Sequence, residues 1–332
     1  MKKFFKKMPI WLLSCVMVGF TACSEEEQNG NGTGSGGGSE TEIGTGTQPD
    51  LPSLGITDPV VAIDYFNGVT TLNYADGKLT GGYDCQVNGN INIIHSPLKI
   101  CANLTSSEGN VEIVYSNIQT NEFGCIVSAD VFTKYLSPDS SIVAEVKAYL
   151  KAEYKDEVYL SQISTEMPIE SSGISLNSKM DVTFEWNNGN VVKNTWRESY
   201  YINNQLEEEY SDTEMYTYAE DAPLNNGIYW NATMFDSEVI AYAGFWGKTT
   251  KNIPSSYILL NDDGTVDYES SISVDLDEKG RVVTWYENGY PSCNYQYADT
   301  HHTVNQRGVL QNVMNRKMNN RWLNFLYKSI AK

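Results

Sequence analysis

The sequence predicts a mainly β protein: an antiparallel meander forming a curved sheet or barrel-like domain, with one inserted helix at about 138–155 and a C-terminal helix at about 305–330. Three observations carry that prediction. A turn signature of Gly, then a polar residue, then an aliphatic one recurs along the chain. Apolar and polar side chains alternate beside those turns. Tyrosine is abundant, 22 in 332 residues, as suits half-buried sheet faces.

Residues 1–22 read as an export signal. Lys2, Lys3, Lys6 and Lys7 give a basic start, Met8 to Phe20 an apolar run, and Thr21-Ala22 a small-residue approach to Cys23. The run falls short of the roughly 20 apolar residues that span a bilayer. Phe20-Thr21-Ala22-Cys23 resembles a bacterial lipobox, which implies lipidation of Cys23 and attachment to the membrane through its acyl chains. Ser24-Glu25-Glu26-Glu27 resembles the tag by which Gram-negative gut bacteria send lipoproteins to the outer face. The expected address is therefore the outer membrane, exposed on the cell surface.

Residues 23–57 read as the acylated Cys followed by a disordered Gly/Ser/Thr/Glu tether, too poor in apolar residues to offset ordering entropy. Residues 58–332 then make a single antiparallel β domain with the C-terminal helix.

Within that domain the turn signature stands at Asp76-Gly77, Asn88-Gly89, Glu108-Gly109, Asn188-Gly189, Asp263-Gly264 and Lys279-Gly280, with Asn203-Asn204 as a variant. Tight hairpins need positive φ at central residues, which Gly, then Asn and Asp, adopt cheaply. Val182, Phe184 and Trp186 share one predicted face, as do Ile272, Val274 and Leu276. The spacing between turns is irregular, which excludes a propeller or solenoid of fixed period.

Two stretches depart from the pattern. Ser137-Pro138-Asp139 reads as a helix start, and Ile142, Val146, Tyr149, Leu150 and Tyr154 follow helical spacing. From about Asn305, Leu310, Val313, Met314, Trp322, Phe325 and Leu326 form an apolar stripe. From His301 on there are six basic residues and no acid. That helix is expected to dock on its own acidic body, with a membrane surface or a partner as the alternative.

Charge bounds the partners. Without the four signal lysines the chain has 19 basic against 42 acidic residues, a net −23, which repels nucleic acid. Cys85, Cys101, Cys125 and Cys293 form no C-x-x-C pair and read as small buried side chains.

No catalytic constellation emerges. His95, His301 and His302 are the only histidines, and no zinc, nucleophile-elbow or phosphate-loop motif is present. Asp275 to Gly280 brushes a calcium loop but has Lys279 and Tyr286 where ligands are needed. Neither metal nor cofactor is expected. Aromatic rings give the binding candidates, because their faces stack on sugars: Trp230, Phe245 and Trp246 as loop aromatics, and Trp285, Tyr286 and Tyr290 on predicted strands and turns. The competing reading is that these rings fill the core.

Val182 to Val191, Tyr216-Thr217-Tyr218, Gly244 to Ser256, Val274 to Val282 and Tyr295-Gln296-Tyr297 together resemble a family of lipoprotein domains of unknown function described as having a porin-like fold. The resemblance implies a barrel or half-barrel in a surface lipoprotein of Gram-negative gut bacteria, and no activity. It does not imply a pore, since Glu185, Lys193, Asp275 and Asp277 fall at outward positions where a membrane barrel faces lipid. The expected function is a non-catalytic ligand-binding module, with a glycan or a protein as ligand. The alternatives are a structural accessory subunit of an outer-membrane assembly and a glycan hydrolase.

Overall fold

The computed structural model describes residues 46–299 apart from 66, 107–108, 138–140, 172–173 and 230–236. Sixteen strands close into one antiparallel barrel, each beside its sequence neighbours, with the last returning to the first. They are β1 (Val60–Tyr65), β2 (Gly68–Ala75), β3 (Lys78–Asp84), β4 (Gly89–His95), β5 (Leu98–Ser106), β6 (Gly109–Thr120), β7 (Ile126–Leu136) and β8 (Ile142–Lys155). Then come β9 (Tyr159–Ser171), β10 (Ile174–Asn187), β11 (Asn190–Ile202), β12 (Gln205–Thr217), β13 (Ser256–Leu260), β14 (Val266–Leu276), β15 (Val282–Glu287) and β16 (Tyr290–Tyr297). The wall is uneven: β8 to β12 have 13 or 14 residues, β1 to β4 only 6 to 8.

The turns follow from positive-φ pairs. Asp76-Gly77, Asn188-Gly189, Asn203-Asn204 and Asn288-Gly289 each place two consecutive residues there, the geometry that matches strand twist in a two-residue hairpin. Asp156-Glu157 does the same without a glycine.

The helix expected at 138–155, of which 138–140 lie outside the described residues, is instead strand β8, paired with β7 over 142–151 and with β9 over 149–155. Ala144, Val146, Leu150 and Ala152 point into the barrel, while Glu145, Lys147, Tyr149, Lys151 and Glu153 are exposed. A period of two fits these residues better than the helical spacing of five of them, and neighbouring strands supply the ladder bonds that override Ala and Lys propensities. The predicted C-terminal helix, the signal segment and Cys23 lie outside the described residues.

The tether expected to run to residue 57 is packed from Gly46 onward. Gly46 N–H donates to Ile118 O, and Leu51, Leu54 and Ile56 are buried, the first two on a 3-10 turn, Leu51–Leu54. These three aliphatics give the segment enough apolar surface to leave water.

Between β12 and β13, the described residues of 218–255 cross one end of the barrel. Ile126 N–H donates to Phe245 O, Lys248 N–H to Val158 O, Lys251 N–H to Gly189 O, and Asn226 Nδ2 to Gly280 O, so the segment is sewn to one turn after another. At Gly247, φ is 79° and a Cβ would stand 2.2 Å from Val158 O, so only glycine allows this docking. The segment carries helix α1 (Glu238–Tyr242), buried on every side and packed on β2 and β3.

Over most of the barrel the inner face is apolar and the outer face polar. Inner positions such as Ile63, Leu79, Ile100, Ile163 and Val182 are fully buried, whereas Glu145, Lys147, Lys151, Glu153, Glu185 and Arg197 stand on the outer face. A membrane-spanning barrel has the reverse pattern, and each Lys or Arg facing lipid at mid-depth costs about 2–4 kcal/mol.

Candidate ligand-binding wall

Strand register fixes which inner side chains meet. Four rungs cross the long strands. Phe184, Asn194, Glu214, Leu259 and Tyr268 form the first, nearest the end crossed by 218–255. Ala152, Ile163, Val182, Trp196 and Asp212 form the second. Leu150, Thr165, Met180, Glu198 and Tyr210 follow, then Met167, Ser178, Tyr200 and Glu208. Each rung but the first runs from mostly apolar residues on β8–β10, with Thr165 and Ser178 among them, to acid and aromatic residues on β11–β12.

On that acidic side the carboxylates accept from neutral donors. Glu198 accepts from Trp196 Nε1 at 3.0 Å and from Tyr200 OH at 3.2 Å. Glu208 accepts from Tyr210 OH at 2.8 Å. Glu214, buried, accepts from Tyr216 OH and from Asn194 Nδ2, the latter at 3.1 Å. Burial, then the Glu214 charge, pushes the Tyr216 phenol far above its ordinary range, and burial with Glu198 does the same to Tyr200. Both rings therefore stay protonated and act as donors. The rings of Tyr200 and Tyr210 meet edge to face at 6.2 Å. Exposure rises along the wall: Trp196 is buried, Tyr200 half-buried, Glu208 and Tyr210 exposed.

Two other polar clusters have structural explanations. Asp84 caps α1, accepting from Ser237 Oγ and Glu238 N–H, both at 2.8 Å. Burial raises its pKa against the pull of these donors. Glu238 in turn accepts from Tyr65 OH and, at 3.1 Å, from Thr70 Oγ1. At the seam, the buried Arg281 guanidinium bonds to Asp277 at 2.7 Å, Asp299 at 2.8 Å and Asp58 at 3.5 Å, and lies 4.3 Å from the centre of the Tyr297 ring. Asp277 also accepts from the Lys279 and Arg281 backbone N–H groups, so it serves its own hairpin.

The aromatics singled out from sequence do not assemble into one surface. Trp230 lies outside the described residues. Phe245 and Trp246 are 0% and 1% exposed, inside the segment that crosses the barrel. Their role as loop aromatics is corrected: Gly244 and Gly247 turn them inward, where they pack in the core. Trp285 is buried on the inner face of β15. Tyr286 points outward and donates to Asp275 at 2.6 Å, and Tyr290 is exposed at a hairpin tip. Leu276, expected inward, is exposed at the end of β14. Glu185 and Lys193 do stand outward and pair at 2.8 Å.

The residues sequence reasoning missed are Trp196, Glu198, Tyr200, Glu208, Tyr210, Asp212 and Glu214. The signal was present as acids and aromatics at every second position of two strands joined at Asn203-Asn204.

No family model matches the chain, and neither does any curated protein. Among solved structures the chain is similar to a porin-like protein from Bacteroides vulgatus ATCC 8482, at 14% identity over 73% of this chain and 100% of that one, with a TM-score of 0.46. It is also similar to a porin-like protein from Bacteroides uniformis ATCC 8492, at 15% identity over 73% of this chain and 92% of that one, with a TM-score of 0.38.

Proposed function

We propose that the protein is a lipoprotein held at the outer membrane through Cys23 and displayed on the cell surface, and that its barrel is a non-catalytic binding module. The single observation that supports a binding role is the β11–β12 wall, where carboxylates and aromatic rings alternate across three rungs. Carboxylates accept paired hydrogen bonds from vicinal hydroxyls, and ring faces cover the C–H faces of a sugar. A glycan is the ligand class that uses both. The same carboxylates sit beside donors that hold them as acceptors, an arrangement suited to binding rather than to acid catalysis.

The test is a glycan array, followed by calorimetry, on the mature chain with Cys23→Ser in place of the acylated residue. Binding to at least one plant, mucin or bacterial glycan is expected, with affinity lowered about tenfold or more by Tyr200→Ala with Tyr210→Ala, each stacked ring contributing roughly 1 kcal/mol. An array without hits, or a hit that the double variant retains in full, would overturn the reading.

A further inference from the structure

The barrel closes through only part of β12. That strand has 13 residues and pairs with β11 from Gln205 to Met215, but β13 pairs only with residues 213–217. Residues 205–212 therefore run on past the end of β13, with β11 on one side and no described strand on the other. Ser211 marks the backbone groups that face the open side, because its N–H donates to the Asp262 carboxylate in the turn that follows β13. In an antiparallel ladder every second residue directs its backbone groups the same way, so the N–H and C=O of Glu209 share that direction. Residues 205–210 are all exposed.

An exposed edge invites another strand, and soluble proteins blunt it with lysine, proline, a bulge or a covering loop. Residues 205–212 contain neither Lys nor Pro. The one bulge lies near the hairpin tip, between Tyr200 and Tyr201, and residues 208–212 pair with β11 in unbroken register. What this edge carries is acid. Strands β12, β13 and β14 and the turn 261–265 hold no Lys or Arg, whereas Glu207, Glu209, Asp262, Asp263, Asp267 and Glu269 are exposed along them. Glu209 accepts from Ser199 Oγ at 3.1 Å and lies 3.9 Å from Arg197, contacts that engage its side chain and not its backbone. A second copy laid along the edge would set glutamate opposite glutamate, and like charges facing across a strand pair are destabilising. A strand bearing Lys or Arg meets the opposite condition. Leu206 on the edge and Val266 at the start of β14, 53% and 58% exposed, add apolar contacts for it.

We propose that residues 205–210 of β12 are a docking edge for an extended, basic segment of another protein, which adds to the sheet as a strand beyond the end of β13. Main-chain hydrogen bonds to Glu209 and its neighbours hold the incoming strand. Its Lys and Arg side chains lie along the acidic surface of β12 and β14, and its apolar residues cover Leu206 and Val266. Pairing begins past Leu260, where β13 ends, so the barrel stays closed through residues 213–217 as the partner docks. The edge is separate from the inner face of the wall, and the inference holds whether or not that face takes a glycan.

The mature chain with Cys23→Ser, titrated by anisotropy with a fluorescein-labelled peptide of alternating Lys and Val, tests the proposal. Saturable binding is expected, and the same peptide methylated on its backbone nitrogens, which keeps the charge and loses the donors, should bind about tenfold more weakly or worse. A peptide of alternating Glu and Val should not bind. Glu209→Pro deletes an edge N–H at a position where proline is tolerated and should weaken binding about fivefold. Glu209→Gln keeps that N–H, so at 0.5 M salt, with charge screened, it should bind as the parent does. Hydrogen exchange at the Glu209 amide should slow when the Lys-Val peptide is added. Equal binding of the methylated and unmethylated peptides overturns the proposal, because charge alone would then explain the contact. Unchanged exchange at Glu209 overturns it too. A parent chain that sediments as a dimer, dissociated by Glu209→Pro, overturns the choice of occupant and makes the edge an interface between copies. If Glu209→Pro does not fold, the methylated peptide and the exchange measurement decide on the parent chain.

Discussion

The seam and the long-strand wall both gather carboxylates, and they treat them in opposite ways. At the seam, Asp58, Asp277 and Asp299 surround one buried guanidinium, and the ring of Tyr297 covers it. On the wall, Glu198, Glu208 and Glu214 accept hydrogen bonds from phenols, an indole and an amide. The first arrangement ties its carboxylates to a cation of the fold and closes the barrel between hairpin β14–β15 and the residues flanking β1 and β16. The second sets its acids beside neutral donors of neighbouring side chains. That contrast is why the seam is read as architecture and the wall as a site.

Removing the cation from the seam has the largest expected effect. Arg281→Met should lower unfolding free energy by about 2–3 kcal/mol in urea, somewhat under the 3–5 kcal/mol typical of a fully buried pair because Asp58 and Asp299 are partly exposed. A loss below about 0.5 kcal/mol would make the seam an ordinary surface network, and the contrast with the wall would collapse.

Much of this architecture was legible in the chain. Hairpins at Asp76-Gly77 and Asn188-Gly189 follow from turn chemistry alone, and the inward set Val182, Phe184, Trp186 follows from alternation. Strand β8 is not legible in the chain, because Ala144, Val146, Leu150 and Lys151 suit a helix as well as a strand, and only pairing with β7 and β9 decides. Asp156-Glu157 offers no glycine to announce its turn. The wall needed register across four strands, including the bulge between Tyr200 and Tyr201, before its rungs could be drawn. The burial of Phe245 and Trp246 depends on contacts from residues far off in sequence, which no local pattern encodes.

The wall should tolerate what the seam does not. Glu198→Gln with Glu208→Gln keeps an acceptor for Trp196 and Tyr210 while removing two charges. At 0.5 M salt, where contacts of exposed cations are screened, urea unfolding of this variant should fall within about 0.5 kcal/mol of the parent, as for surface changes. A loss near 2 kcal/mol would mean that the wall carboxylates hold the barrel together, and the functional reading would lose its basis.

Acid sharpens the same comparison by the smallest margin. Hydrogen bonds from Lys279 and then Arg281 pull the Asp299 pKa down to about 2. Burial opposes the same trend at Asp277, but the Arg281 and Lys279 donors prevail and its pKa is lowered as well. A carboxylate with a depressed folded pKa stabilises the fold above its unfolded value, near 4, and that contribution fades as pH falls toward 2. Asp84 runs the other way: its pKa is raised in the fold, so its share of stability shrinks as pH climbs through the interval above the ordinary value. Other carboxylates titrate in the same window, so the informative quantity is a difference. The urea midpoint of Arg281→Met should approach that of the parent as pH drops from 5 to about 2, because protonated Asp277 and Asp299 no longer need the guanidinium. A gap between the two proteins that stays constant across that range would show that Arg281 acts through packing on Tyr297 rather than through its aspartates.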